Sequence, residues 1–77
     1  MSDDKRIDLR PYGIARKVDV RVIRAIRVEH TQNGELSHLV VCLKNGEELL
    51  GTAVVGSGAV HQQEKLFLMY QQKLGGG

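Results

Sequence analysis

The sequence predicts an all-β fold, a small antiparallel meander of about four strands behind an irregular N-terminal arm. Three observations predict it. Asn-Gly occurs twice, at Asn33-Gly34 and Asn45-Gly46. The segments around these turns alternate apolar and polar residues and are rich in Val, Ile and Leu. With 77 residues there is room for a single domain, in which only about 60% of the unfolded chain's surface leaves water. Closure into a small, partly open barrel and support from a partner subunit both stay open.

Residues 1–17 mix charges with Pro11 and Gly13 and show no sustained period, so they read as the arm. A single antiparallel β domain over residues 18–74 follows, and Gly75 to Gly77 read as a flexible tail. In the first strand, Val18, Val20, Val22, Ile26 and Val28 are apolar at even positions, while Asp19, Arg21, Arg27 and Glu29 are polar at odd ones. Its β-branched residues disfavour a helix.

The second strand runs from Glu35 to Lys44 and the third from Glu47 to Val55. Asn-Gly favours a two-residue type I′ turn, which needs positive φ at both central residues. With two such loops, residues whose numbers sum to 67 face each other across the first hairpin, and those summing to 91 across the second. Glu29 then faces His38 and Lys44 faces Glu47, compatible pairs that the register was not chosen to produce. One face collects Ile26, Val28, Leu39, Val41, Leu43, Leu50 and Val54 as a core layer. The other carries Leu36, Val40, Leu49, Ala53 and Val55 among polar residues, an interface that a partner would cover. After the Gly56-Ser57-Gly58 break, a fourth strand is expected over Lys65 to Lys73, apolar on both faces through its middle.

Charge is unevenly distributed. Residues 1–30 hold eight Lys and Arg against five Asp and Glu, and the remainder holds three against four. From Arg10 to Arg27 six cations accompany one anion. Arg16, Lys17, Arg21, Arg24 and Arg27 are therefore candidate phosphate contacts, with Tyr12 as a stacking partner, although a solvated strand face explains the same charges. The chain has three aromatic residues, few for a single-strand binder.

Other motifs imply no chemistry. His30, His38, His61 and Cys42 suggest a metal set, but four residues along a strand separate His38 from Cys42 by about 13 Å. No metal or other cofactor is expected. Cys42 reads as a packed thiol, and no pair of carboxylates is placed for acid–base work. Ala53 to Val60 has the glycines of a dinucleotide loop, yet His61 stands where a small residue belongs, and a glycine loop between strands is the expectation. Ser57 between glycines lacks the context of a nucleophile elbow. A terminal Gly-Gly is shared with ubiquitin-like proteins, whose long central helix is not evident here. The chain is expected to be no enzyme.

Residues Leu43 to Val54, with Asn45-Gly46, Leu49 and Gly51 at their spacing, resemble the first motif of the Sm-like RNA-binding family. The resemblance covers about twelve residues. It implies a ring oligomer that binds single-stranded RNA. Ser57 departs from it where the family usually carries an acid, as does a strand in place of the family's N-terminal helix.

A single cysteine and apolar runs far shorter than the roughly 20 residues of a bilayer span point to a cytoplasmic protein without a membrane. The expected function is a non-catalytic module that binds RNA or DNA through the Arg-rich arm and first strand, as a homo-oligomer. The alternative is a protein-interaction or regulatory module, inhibitors included, docking through the semi-apolar face or a strand edge.

Overall fold

The computed structural model describes residues 5–31 and 33–75; the predicted start of the arm and most of the glycine tail lie outside them. Over the described residues the fold is mostly β, with antiparallel strands in two sheets, no closed barrel, and one C-terminal α-helix. β1 (Arg6–Asp8) and β2 (Lys17–Asp19) form a two-stranded ribbon. β3 (Ile23–His30), β4 (Leu36–Leu43), β5 (Glu48–Leu50) and β6 (Val54–Val55) form the main sheet, with β4 at its centre. Helix α1 (Gly58–Gly75) packs across β4 and β3.

The predicted arm thus supplies structure as well as charge. Ile7, Leu9, Tyr12, Ile14, Val18 and Val20 are buried in one cluster with Ile23, Leu39, Val41, Leu43, Leu49 and Leu66. Two similar clips shape this half. Asp8 accepts from the backbone and guanidinium of Arg10, and Asp19 does the same for Arg21. Each clip fixes the start of a 3-10 turn, at Arg10–Tyr12 and Val20–Val22. The second turn divides the predicted first strand into β2 and β3.

The first hairpin has the predicted register, with Arg27 facing Val40, Val28 facing Leu39 and Glu29 facing His38, but not the predicted type I′ turn, since only Gly34 and not Asn33 takes a positive φ. A bulge at Arg24 shifts it by one, so that Ile23 faces Leu43. The second hairpin departs from the prediction. Leu43 pairs with Glu47, leaving a three-residue loop, and Val41 faces Leu49. Gly46 alone takes the left-handed conformation in this loop, at φ +93°. That is a turn followed by a glycine bulge rather than type I′, and its odd length turns every β5 side chain to the opposite face. Leu49 is therefore in the core, while Leu50 is 58% exposed. Beyond the kink at residues 51–53 the predicted phase returns, with Val54 opposite Ser37 and Val55 opposite Leu36.

The predicted fourth strand is wrong: residues 65–73 belong to α1. Leu66, Leu68 and Tyr70 alternate, but Ala59, Gln62, Leu66, Met69, Tyr70 and Lys73 recur at helical spacing, and these are the residues turned inward. From Gln62 to Leu74 the segment contains no Pro or Gly and consists chiefly of good helix formers. Period two over five residues misled because both faces of the stretch are apolar.

Candidate binding site

The structure disperses most of the predicted cations into ion pairs. Arg16 Nη1 lies 3.1 Å from Glu47 Oε2. Arg21 holds Asp19 through contacts of 2.6 to 3.2 Å. Arg27 crosses the outer sheet face to Glu29 at 2.9 Å and Glu48 at 3.0 Å, with Cys42 Sγ 3.3 Å from its Nη1. Each pair cancels charge that the sequence counts as positive. Arg24 stands exposed at the bulge and makes no hydrogen bond or ion pair among the described residues.

Tyr12 does not lie open as a stacking surface. It is buried in the core cluster, and burial raises the pKa of its hydroxyl. Together with Lys17, however, it borders a cavity of about 520 Å³ between the ribbon and the end of α1. The apolar part of the wall is Ile7, Pro11, Tyr12 and Met69. The polar part is Arg6, Asp8, Lys17, Gln72 and Lys73.

Local structure explains this convergence. The ribbon ladder sets Lys17 opposite Asp8, and the 3-10 turn brings Pro11 and Tyr12 to the same side. Lys5 Nζ donates to the Lys73 carbonyl at 2.8 Å, which fixes the last turns of α1 over the ribbon. Among the described residues Asp8 is the one carboxylate in the wall, and its hydrogen bonds from Arg10, with help from the Lys17 charge, hold its pKa down at about 2. Arg10 therefore pairs with the acid that faces Lys17 across the ribbon. Arg6, Met69, Gln72 and Lys73 are not predicted from sequence, since three of them enter through the helix. The recurrence of Leu66, Met69 and Lys73 at helical spacing is the signal that would have found them.

The predicted partner face is also rearranged. Val40 and Leu49 are buried, Leu49 because of the register slip, and neither presents a surface. Leu36 and Val55 face each other directly at 37% and 80% exposure, with Ala53 also exposed. Leu50 joins this side of the sheet.

The remaining motifs are occupied structurally. His38 Nε2 is 3.5 Å from Glu29 Oε1, the predicted pairing. Among the described residues no group of three or more His, Cys, Asp and Glu is placed to hold a metal ion. Gly56-Ser57 links β6 to α1, and Gly58 is the first residue of that helix, so the glycine segment does not join two strands. At that helix start the Ala59 amide is taken by Ser37 Oγ, and the amides of Val60 and His61 by the Ser57 carbonyl. Among the described residues no helix is long and apolar enough to cross a membrane.

No family model, no curated protein and no solved structure matches the chain.

Proposed function

We propose that the chain is a small, non-catalytic, cytoplasmic module that binds single-stranded nucleic acid at the cavity between the ribbon and α1. The observation that carries this reading is the meeting of Arg6, Lys17 and Lys73, from three separate elements, around an apolar wall that includes Tyr12. Phosphates favour the cations, and a base has an apolar surface of Tyr12, Pro11 and Met69 to lie against. The cavity is within the usual range of about 300–1,000 Å³ for a ligand pocket, so it suits one or two nucleotides of a longer strand. Exposed Arg24 extends the contact along the strand; Arg16, Arg21 and Arg27 are held in ion pairs away from the cavity.

The test is a fluorescent single-stranded oligonucleotide titrated at about 50 and 200 mM salt, where neutralisation of several phosphates makes affinity fall steeply. Lys17→Glu combined with Lys73→Glu should abolish binding while the fold is kept. Absence of binding at the lower salt removes the reading. A second reading, docking on a protein partner, is favoured by the exposure of Leu50 and Val55 beside Leu36. Loss of a protein partner on Val55→Asp, with oligonucleotide binding intact, would support it.

A further inference from the structure

The free margin of β3 carries an inference that concerns a different face and stands whether or not nucleic acid binds. β3 is a margin of the main sheet. The Thr31 amide donates to the Leu36 carbonyl, so in an alternating ladder the odd residues Ala25, Arg27 and Glu29 bond to β4. The peptide groups of Ile26, Val28 and His30 therefore point away from the sheet. Among the described residues the side-chain hydrogen bond on that side is from Gln63 Nε2, which donates to the Ile26 carbonyl at 2.8 Å.

Two further observations meet at this margin. Ile26 and Val28 lie on the core face yet remain only half-buried, whereas Leu39 and Val41 beside them are 0% exposed. The Gln63 bond also turns one flank of α1 toward this edge, and at about 100° per residue Phe67 and Leu74 lie on the same flank. These two side chains are 46% and 47% exposed, and Phe67 stacks on Tyr70 with ring centres 6.0 Å apart. An unpaired strand, an incomplete core face and an uncovered helix flank thus form one continuous surface.

Charge selects its occupant. Consider β3 paired antiparallel with β3 of a second copy about a two-fold axis, keeping the two core faces on one side. With Arg27 on the axis, arginine faces arginine; with Glu29 on it, glutamate faces glutamate. With Ile26 on it, Arg27 faces Ala25 and gains nothing. With Val28 on the axis, Arg27 faces Glu29 of the second copy twice, once on each side, so that the Arg27–Glu29 pair within each chain joins an alternating cluster of four charges, and Val28 meets Val28. We propose that the protein is a homodimer in this register, its two sheets continuous across β3 and its two helices meeting through Phe67 and Leu74. The Ile26 carbonyl accepts from the second copy through its other lone pair, with Gln63 in place.

Light scattering at micromolar concentration should give twice the 8.5 kDa chain mass. Val28→Pro removes an amide that points away from β4; it should give a monomer with an unchanged circular dichroism spectrum. Arg27→Glu sets like charges opposite each other and should weaken the dimer by about tenfold or more. Adding Glu29→Arg should restore it. A wild-type monomer throughout overturns the proposal, as does a dimer indifferent to both single substitutions. If Val28→Pro fails to fold, the charge exchange decides alone, and failure of the double variant to recover overturns the register.

Discussion

A side chain placed on Gly51 would begin 2.7 Å from the carbonyl oxygen of Tyr12. The 3-10 turn rests on the kinked third strand here, and the Thr52 amide donates to that same carbonyl at 3.0 Å. Gly51→Ala should therefore push the ribbon off the main sheet. We expect a loss of about 1–3 kcal/mol, as for other overpacked sites, measured as a lowered urea midpoint. An unchanged midpoint would show that the turn can move aside at no cost.

Ser37 is the buried polar side chain that joins sheet to helix. Its hydroxyl donates to the Gly56 carbonyl at 2.8 Å and accepts from the Ala59 amide at 3.4 Å. Ser37→Ala leaves both groups unsatisfied and should cost about 1–3 kcal/mol. Hydrogen exchange should locate the loss, with the first turn of α1 exchanging faster than the β3–β4 ladder.

Asp8 and Asp19 should titrate far below ordinary carboxylates. Hydrogen bonds from Arg10 and from Arg21 hold their pKa values at about 2, against about 3.9 in an unfolded chain. A depressed carboxyl pKa contributes stability that is complete above the unfolded value and is lost as pH falls through the folded one. The melting temperature should therefore drop between about pH 4 and pH 2. The double variant Asp8→Asn, Asp19→Asn should flatten that drop, and NMR carboxyl titrations should give low midpoints for these two residues.

Leu66 is fully buried against residues from both sheets. Leu66→Ala should cost about 2–5 kcal/mol through lost transfer energy and the cavity left behind. Phe67→Ala, on the exposed flank of the same helix, should cost a monomer far less. Calorimetry of the two variants at matched concentration separates core from surface.

Much of the meander was legible in the sequence because its evidence is local. Alternation in residues 23–30 and 36–43, with Asn-Gly between, fixes which residues of β3 and β4 face each other. The second hairpin was misread because both a two-residue and a three-residue loop can be built on Lys44-Asn45-Gly46-Glu47, and they differ in parity. That one step exchanged Leu49 and Leu50 between faces. The kink at residues 51–53 then restored the phase, so Leu50 and Val55 surface on the same side despite their odd spacing, which no uninterrupted strand allows. The cavity was illegible for a different reason. Arginine counts show charge but not which carboxylate answers it, and the Asp8–Arg10 and Asp19–Arg21 clips lie within the very segment counted as basic. Lys17 and Tyr12 are named from the sequence; their neighbours in the cavity wall on α1 required the helix to be recognised first.

The core cluster joins β1 to α1, with Ile7 and Leu9 on one side and Leu66 on the other. During synthesis from the ribosome, the β3–β4 hairpin can close from neighbouring residues as soon as it emerges. The ribbon is slower: its apolar cluster is complete only when α1 supplies Leu66, and the Lys5–Lys73 bond closes a loop that spans both sheets and the helix. Folding should therefore proceed from the middle outward, leaving Ile7, Leu9 and Ile14 exposed to chaperones, or to one another in neighbouring nascent chains, until α1 has emerged and packed.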